Sequence, residues 1–450
     1  MRVKNLLPYL LVLGLASIPV SGAPLLVISI DGMRPDYVTA ADQHGLKIPY
    51  LRRMMAEGAY AHDVTGVQPT VTYPSHTTLI TGVPPAEHGI YNNQPFDPAG
   101  ANRGGWYWYA ADVRVPTLFD AVAATHRITA NVEWPVTVGA KGIGFNIPEY
   151  RRAYAPDDIK LLESISRPDG YLEQLQRRLG PYTYNQGEGT ADDAVRVRFA
   201  QQIIQDQKPY FMTIHLIALD HASHSHGPFS AEANAAIEGL DGLVATLADT
   251  ALAADPATVV AVVSDHGFAT ITHRLNWRVA FRKAGLIGKD DRVGMQLALW
   301  DAAGANAAVM LKHPDDAAFR ARVAAVLERL RADPDNGITR ILEGDSLEAS
   351  GGWPTASFVL AMQPGYAIGD ASSGALVTTE KTGIGTHGWS PDEPEMRASF
   401  LIIGQGIAKG LNLGSVDMLR IAPTFARVLD VELPTATQAP LDLQSSGGSH

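Results

Sequence analysis

Short apolar segments that alternate with stretches of helical periodicity constrain the fold of this chain more than any other feature of its sequence. The apolar segments are rich in β-branched or aromatic residues and end at turn residues, which is typical of strands buried on both faces. They are Leu25–Ile30, Tyr210–Leu219, Thr258–Ser264 and Ser399–Ile403. Helices are predicted over Ala231–Ala253, Pro314–Asp333 and Ile421–Leu429. This alternation predicts an α/β fold in which helices cover a mostly parallel sheet.

Ionisable residues stand at the carboxyl ends of three of these predicted strands. Asp31 follows the first strand, Asp220 follows the second, and Asp265 with His266 follows the third. In open α/β sheets the active site forms beyond the carboxyl ends of the strands. The sequence therefore predicts that these side chains converge on one site.

Two histidine motifs complete a candidate set of metal ligands. His224 lies four residues after Asp220, so a helical turn places both on one side, and His387 is flanked by glycines in Gly385–Gly388. Alone, each motif also has a structural interpretation, such as an Asp-Gly turn or a solvated histidine-rich loop. Mixed Asp/His ligation suits two Zn²⁺ ions, with Mn²⁺ or Fe as alternatives, and two such ions can stabilise a phosphoryl displacement. The candidate ligands are Asp31, Asp220, His224, Asp265, His266 and His387.

Thr72 stands at the start of a predicted helix. Pro74 can occupy the first turn and Gly82 can end the helix, so Thr72 is expected just before the N-terminus, where N–H groups favour an anion. Its hydroxyl can serve as an N-cap, or it can be a nucleophile if a metal lowers its pKa. The nearby segment His88–Asn93 carries amide side chains that either donate to phosphate oxygens or shape a turn.

The combination and order of these motifs resemble the nucleotide pyrophosphatase/phosphodiesterase family of the alkaline phosphatase superfamily. The resemblance runs from about Leu25 to about Pro434. It implies an alkaline-phosphatase-like three-layer sandwich with capping insertions. The motifs that carry it are Asp31-Gly32, Thr72-Tyr73-Pro74, His88-Gly89-Ile90, Asp220-x3-His224, Asp265-His266-Gly267 and Gly385-Thr386-His387-Gly388.

The resemblance also implies a role for each motif residue. Thr72 would be the nucleophile, and its hydroxyl oxygen would also be a metal ligand. The reaction would form a phospho-threonine intermediate. Asn93 would bind a nonbridging phosphate oxygen, and Tyr73 would stack on a nucleobase. The residues implied for one zinc ion are Asp220, His224 and His387. The residues implied for the other are Asp31, Asp265 and His266.

Two positions depart from the family pattern. Ser223 stands where family members often have a glycine before the ligand histidine. His215 stands where nucleotide-specific members often have a tyrosine, five residues before the ligand aspartate. The regions about 134–190 and 270–380 are expected to form caps that choose the substrate.

The motifs leave three functions open. The preferred function is hydrolysis of phosphoric diesters or pyrophosphates, with nucleotide-type substrates. The second is a threonine-dependent phosphate monoesterase or phosphonate hydrolase of the same superfamily, where monoesterases add a Lys-x-Arg pair. Lys141-Gly142-Ile143 lacks that arginine, and Arg151 and Arg152 are further candidates for the missing charge. The third is a degenerate metal-binding protein, which the complete ligand set disfavours.

The N-terminal residues predict export. Arg2 and Lys4 precede the apolar run Leu6–Ile18, which is short for a membrane span, and small residues follow at Ser21–Ala23. We expect residues 1–22 to be a signal peptide, with an uncleaved anchor as the alternative. The catalytic domain is then expected over residues 23–436, followed by a flexible tail over 437–450.

Composition bears on the compartment and the partners. The chain has no cysteine, which excludes thiolate sites and fits a periplasmic or secreted bacterial protein held together by its core. The net charge of -11 argues against a stable nucleic-acid complex. A small anionic ester remains an expected partner because bound metal ions can invert the local field. No segment after the signal has the length of a transmembrane helix.

Overall fold

The structure is a computed structural model that describes residues 22–99, 101–102, 104–150, 158–182, 189–288, 297–302, 304–380 and 383–444. The predicted signal peptide lies, except for its last residue, outside this range. The strands in the described ranges are β1 (Leu25–Ile30), β2 (Ala59–Tyr60), β3 (Asp63–Thr65), β4 (Thr129–Val132), β5 (Phe145–Ile147), β6 (Phe211–Leu216), β7 (Val259–Val263), β8 (Ala269–Thr270), β9 (His273–Leu275), β10 (Leu297–Ala302), β11 (Asn306–Leu311), β12 (Ile338–Leu342), β13 (Phe358–Met362), β14 (Tyr366–Ile368), β15 (Val377–Thr379), β16 (Gly385–Thr386), β17 (Phe400–Ile403), β18 (Leu411–Asn412) and β19 (Ser415–Asp417). The α-helices there are α1 (Asp36–Thr39), α2 (Pro49–Glu57), α3 (Thr72–Thr81), α4 (Pro85–His88), α5 (Leu118–Ala123), α6 (Asp158–Ile165), α7 (Tyr171–Leu179), α8 (Thr190–Gln207), α9 (Ala218–His226), α10 (Ala231–Ala254), α11 (Trp277–Lys283), α12 (Ala317–Ala332), α13 (Asp345–Ala349) and α14 (Ile421–Leu429).

A central sheet of eight strands organises the molecule, in the order β18-β2-β17-β7-β1-β6-β4-β5. Strand β1 lies inside the sheet and pairs in parallel with β6 and β7. Strand β4 continues the parallel arrangement with β6 and β5. Only β17 runs antiparallel to its two neighbours in this sheet, β7 and β2. The predicted mostly parallel sheet is therefore confirmed.

Helices bury both faces of the central sheet. Successive side chains of a strand point to opposite faces, so each strand contributes to two cores. In β1, Leu26, Ile28 and Ile30 join a core that also contains residues of α2, α8 and α10. Leu25 and Val27 join a second core on the other face, with residues of α3, α5 and α14. Strand β1, which is apolar except for Ser29, is thus covered by a helical layer on each side, as a three-layer sandwich requires.

The bounds of the predicted elements hold closely, with one exception that affects the site. Strand β1 and helix α14 have the predicted bounds, β17 and α10 differ by one residue at one end, and β7 is one residue shorter at each end. Helix α12 begins at Ala317 and ends at Ala332, inside its predicted bounds. Strand β6, however, ends at Leu216, and α9 begins at Ala218. Asp220 therefore lies in the first turn of a helix rather than directly after a strand.

A smaller sheet stands beside the central one. Its strand order is β10-β11-β13-β12, and its pairs are antiparallel. Helices α11 and α12 cover it, and Trp277 and Phe358 are fully buried in the core that they share. This unit occupies most of the region 270–380 in which a cap is expected.

The other expected cap, about 134–190, needs correction at its start. Trp134 is fully buried in the core on the α3 side, and β5 (Phe145–Ile147) is an edge strand of the central sheet. These residues belong to the main domain because their apolar side chains pack on it. A separate cap can begin only after them.

The C-terminal boundary also needs correction. Leu441 and Leu443 are buried in the core with α14, so the tail expected over 437–450 begins too early. The Leu441 N–H donates to Thr424 Oγ1 at 2.8 Å, which fixes the segment to the helix. Residues 445–450 lie outside the described ranges. Among the helices of those ranges, none combines the length and apolarity that crossing a bilayer requires.

Candidate active site

The carboxyl ends of β1 and β7 bring Asp31 and Asp265 together. Ser29 pairs with Val263 in the parallel register, so the two aspartates, each two residues further on, leave the sheet at the same level. The Gly32 N–H donates to Asp265 Oδ1 at 3.1 Å and joins the two loops. Gly32 has a φ of 70°, a conformation that favours glycine. The Asp-Gly turn and the candidate metal site are therefore compatible, because this turn directs the Gly32 N–H to Asp265.

Three histidines direct Nε2 towards the site because Nδ1, the other ring nitrogen, is hydrogen-bonded to a backbone carbonyl. In each case Nδ1 lies within hydrogen-bonding distance of a carbonyl oxygen: His224 with Gly385 (3.2 Å), His266 with Gly267 (3.0 Å) and His387 with Thr70 (3.0 Å). A carbonyl only accepts, so Nδ1 carries the proton and Nε2 keeps a lone pair. This is the tautomer that binds a metal ion through Nε2, held by the kind of outer hydrogen bond that metal sites use.

The ligand atoms form two adjoining groups that share His266. In the first group, His266 Nε2 lies 3.1 Å from Asp265 Oδ2 and 3.4 Å from Asp31 Oδ1. The second group contains Asp220, His387 and again His266, with His387 Nε2 at 3.9 Å from Asp220 Oδ1. The rings of His266 and His387 stack with their centroids 3.7 Å apart. Two ions could therefore lie side by side here.

His224 lies at the edge of the second group. Its Nε2 is 3.5 Å from Asp220 Oδ2, one helical turn away on α9. Its side chain is 40% exposed, whereas Asp265 and His266 are completely buried. The spacing of four residues thus places both side chains on one face of a helix, as expected. All the ligands predicted from the sequence meet at one place.

The donor set fits a cation. Asp31 Oδ1 and Asp265 Oδ2 are buried and accept no hydrogen bond from the described residues. Burial, together with the charges of Asp265 and Asp220, raises the pKa of Asp31 well above its usual value. Burial also lowers the pKa of His266 to about 3, so its imidazole is neutral. Buried carboxylates that face neutral nitrogen lone pairs require a positive charge between them, which a metal ion supplies.

Thr72 is the first residue of α3, slightly further into the helix than the sequence predicts. The N-cap position belongs to Val71, and the Thr72 hydroxyl does not cap the helix. Thr72 Oγ1 instead lies 3.5 Å from His266 Nε2. The N-cap interpretation is therefore wrong, because the hydroxyl faces the metal-ligand groups rather than the backbone of its own helix.

The start of α3 also provides donors for an anion. The Tyr73 N–H donates to Asn93 Oδ1 at 2.8 Å, Pro74 has no N–H, and the Ser75 N–H makes the first helical hydrogen bond. The Thr72 N–H belongs to the orphan groups of the first turn, which have no acceptor within the helix. Because Asn93 uses its oxygen for Tyr73, its Nδ2 group is the end of the amide that can donate to a ligand.

The side chain of Tyr73 lies away from the ligand groups. Its ring is fully buried, packs edge-on against Trp106 at a centroid distance of 5.2 Å, and its hydroxyl donates to Glu149 Oε1 at 3.1 Å. A ring without exposed surface cannot stack on a ligand. The stacking role expected for Tyr73 is therefore wrong.

Two buried partners of the site, His76 and His215, are not among the site residues that the motifs predict. His76, one turn after Thr72, lies 2.9 Å from the Thr72 carbonyl through Nδ1 and 2.8 Å from Ser29 Oγ through Nε2. Burial lowers its pKa to about 3. Its spacing of four from Thr72 was the available signal. His215, which departs from the family pattern, lies 3.1 Å from both Asp31 and Glu149.

The chain as a whole is similar to known proteins of one family. Residues 25–390 match the family model described as type I phosphodiesterase/nucleotide pyrophosphatase. Over 250 residues the chain is 25% identical to human ectonucleotide pyrophosphatase/phosphodiesterase family member 1. This match covers 54% of this chain and 23% of the human protein. Over 290 residues it is 26% identical to mouse family member 7, covering 61% of this chain and 58% of that protein. The match thus spans only part of the length of these relatives.

The solved structures agree on the fold. Murine ectonucleotide pyrophosphatase/phosphodiesterase 5, determined as an inactive variant in complex with AMP, superposes with a TM-score of 0.64. The superposition covers 93% of this chain and 97% of that one, at 19% sequence identity. The predicted α/β fold, with its alkaline-phosphatase-like three-layer sandwich, is confirmed.

Proposed function

This chain belongs to the type I phosphodiesterase/nucleotide pyrophosphatase family, and from that premise we propose that it is a two-metal hydrolase of phosphoric diesters or pyrophosphates. Nucleotide-type esters are the proposed substrates, and Thr72 is the proposed nucleophile. The observation that carries the proposal is the position of the Thr72 hydroxyl, 3.5 Å from His266 Nε2 at the junction of two ligand groups.

The ligand groups suit two divalent ions per chain. Their mixture of carboxylate oxygen and imidazole nitrogen suits Zn²⁺, with Mn²⁺ or Fe as alternatives. Such ions stabilise charge on the transferring phosphoryl oxygens and lower the pKa of a hydroxyl nucleophile. The residues that would hold one ion are Asp31, Asp265 and His266, with the Thr72 oxygen beside them. The residues that would hold the other are Asp220, His224 and His387.

The chain's own groups then define the reaction. Thr72 Oγ attacks phosphorus, the bond from phosphorus to the leaving oxygen breaks, and the leaving oxygen takes up a proton. This yields a phospho-threonine. Water attacks the same phosphorus in the second step, which releases a phosphate monoester and restores the Thr72 hydroxyl, so one water is consumed per bond cleaved. Asn93 Nδ2 and the Thr72 N–H donate to a nonbridging oxygen, where they stabilise the charge that develops.

Several observations support a diester rather than a monoester as the substrate. The donors beside Thr72 are the neutral Asn93 amide and a backbone N–H. Lys141, a candidate cation for a monoesterase, lines a different cavity together with Thr77 and Asp120. Arg151 and Arg152, the other candidates, lie outside the described residues. The AMP in the complex of the murine relative supports a nucleotide-type ester in particular.

One comparison of substrates tests the proposal. The zinc-loaded protein and the same protein stripped of metal are assayed with a nitrophenyl diester, a nitrophenyl monoester and a nucleotide nitrophenyl ester. We expect turnover only with metal, and a higher kcat/KM for the diesters. Metal binding without turnover of any ester would support the degenerate metal-binding protein instead. We also propose that the protein is exported to the periplasm or secreted, on the strength of the N-terminal sequence.

A further inference from the structure

His215 stands in direct contact with the metal-ligand residue Asp31. His215 lies in β6, and Asp31 directly follows the neighbouring parallel strand β1, in which Ser29 pairs with His215. His215 Nε2 lies 3.1 Å from Asp31 Oδ2, and Nδ1 lies 3.1 Å from Glu149 Oε2. The His215 side chain is only 1% exposed. A substrate therefore has no access to this histidine, and its contacts are with the protein.

This contact divides the two oxygens of the Asp31 carboxylate between different tasks. A carboxylate oxygen accepts, so the imidazole N–H donates to Oδ2. The other oxygen, Oδ1, accepts no hydrogen bond from the described residues and lies 3.4 Å from His266 Nε2, in the first ligand group. One hydrogen bond thus fixes the rotation of the carboxylate so that Oδ1 faces the position of the ion.

Further contacts hold His215 in place. Glu149 accepts the Tyr73 hydroxyl on its other oxygen, at 3.1 Å, so it is itself fixed. The ring of His76 lies against the His215 ring with the centroids 4.4 Å apart. A buried chain of contacts therefore runs from Tyr73 through Glu149 and His215 to Asp31, and each member has little freedom to turn.

From this geometry we infer that His215, held by Glu149, is a positioning residue that orients Asp31 for one of the two metal ions. Outer hydrogen bonds of this kind orient metal ligands, and losing one typically weakens metal binding about 10- to 100-fold. The inference rests on the proposed two-metal centre.

Two amide substitutions separate the two contacts of His215. In His215→Gln the side-chain amide reaches the position of Nε2 and can still donate to Asp31. In His215→Asn the shorter amide reaches the position of Nδ1 and can contact only Glu149. Both variants are polar and neutral, so they differ mainly in which carboxylate they meet. Thr213→Val is the matched control: Thr213 is buried on the same face of β6 and donates to Asn131, away from the metal ligands.

The readout is zinc binding by the stripped protein, measured by competition with a chromophoric chelator, with thermal unfolding of each stripped variant as the control for folding. We expect His215→Asn to weaken one of the two zinc sites about 10- to 100-fold and to leave the other unchanged. His215→Gln and Thr213→Val should bind both ions as the wild type does.

Each other result overturns the inference. Equal loss of zinc affinity in the Gln and Asn variants would mean that the ring matters only for packing. Two unchanged sites in His215→Asn would remove the positioning role while leaving the proposed hydrolase intact. A wild-type protein that binds no zinc would overturn the metal centre itself, and with it both proposals.

Discussion

Thr72 is the residue on which the proposed chemistry depends most directly. Its hydroxyl makes no capping contact and faces His266 at 3.5 Å, so replacing it removes the nucleophile while leaving α3 intact. We predict that Thr72→Ala lowers kcat/KM by several orders of magnitude, as loss of a nucleophile typically does, while the protein keeps its metal content. Thr72→Ser restores a hydroxyl and should recover part of the activity. Near-normal turnover in the alanine variant would contradict the nucleophile assignment.

Asp265 allows a test of charge at almost constant shape. Asp265→Asn keeps an oxygen that can accept the Gly32 N–H but removes the negative charge from the first ligand group. We predict that elemental analysis falls from about two metals per chain towards one, with loss of activity. Asp241→Asn is the control, because Asp241 is also buried and accepts the N–H groups of Tyr50 and Leu51, at the start of α2. Unchanged metal content in Asp265→Asn would remove Asp265 from the site.

Individual residues differ in how far the sequence alone could assign them. Asp31 and Asp265 could be predicted because the ends of parallel strands meet at one edge of a sheet, whatever the rest of the chain does. Tyr73 could not, because the sequence does not show which way a side chain in the first turn of α3 points. His215 and Glu149 come into contact only through the stacking of separate strands and loops, 66 residues apart, and no local pattern marks such a pair.

Helix α9 carries two of the six proposed ligands, so its start has to be fixed. A carboxylate from α8 does this: Asp193 accepts the N–H groups of Ile217 and Ala218 at 3.1 Å and 2.9 Å. Asp193 is fully buried and pairs with Arg196, which pairs in turn with Glu133. Negative charge at a helix N-terminus is favourable, and here the charge is also balanced by the arginine.

We predict that Asp193→Ala destabilises the protein and disturbs the site together. Removing one partner of a buried ion pair typically costs about 3 to 5 kcal/mol in the free energy of unfolding, because the remaining charge is left without full compensation. Asp193→Asn keeps an acceptor for the helix and should cost less. Urea unfolding measures the stability of both Asp193 variants. As the control, Asp42→Ala breaks an exposed pair with Arg52 and should leave the urea midpoint unchanged. An Asp193→Ala protein as stable as the wild type would show that α9 needs no such cap.

The elements themselves were predicted well where burial decides them. Strands β1 and β7 consist, except for Ser29, of apolar residues that enter the two cores, so their pattern is nearly independent of context. The end of β6 was predicted too late because Ile217, Ala218 and Leu219 are as apolar as the strand before them, although Ala218 and Leu219 already belong to α9. The Asp193 carboxylate that starts this helix comes from a distant segment, and the local sequence cannot reveal it.

At the scale of the whole molecule, the boundaries were harder to predict than the layers. The main sheet follows from the alternation of strands and helices. Where a cap begins depends on which apolar residues pack on the main domain, and Trp134 does so although the sequence around it resembles an insertion. The C-terminal segment is similar, because Leu441 and Leu443 pack on α14 from a stretch that reads as polar.

The N-terminal sequence leads to a prediction about the mature chain. A positive start, a short apolar run and small residues up to Ala23 are typical of a signal peptide. We predict that export removes about 22 residues. Intact-mass measurement of protein isolated from the periplasm of the native host checks this, and a mass that still includes Met1 would contradict it. Protein found as an uncleaved, membrane-bound form would favour the anchor instead.

The preference for diesters over monoesters depends on the charge of the whole site. A monoester dianion carries more negative charge on its nonbridging oxygens than a diester does, so an enzyme built for it needs cationic donors in addition to its metals. Here the donors beside Thr72 are neutral, and the Asn93 amide is fixed by its hydrogen bond to Tyr73. Because these donors are neutral, they fit the smaller negative charge of a diester, and they present no charge to the second substituent of the diester.

We therefore predict a higher kcat/KM for a nitrophenyl diester and for a nucleotide nitrophenyl ester than for the nitrophenyl monoester, at one pH with metals saturating. Lys141→Ala should change none of the three values, because Lys141 is exposed and lines a cavity with Thr77 and Asp120 rather than with the ligand groups. Asn93→Ala should lower all three, since the donor to the nonbridging oxygen is lost, by about 10²- to 10³-fold if it acts as an oxyanion donor. A monoester turned over faster than both diesters, together with loss of that activity in Lys141→Ala, would mean that a cation from outside the described site governs specificity.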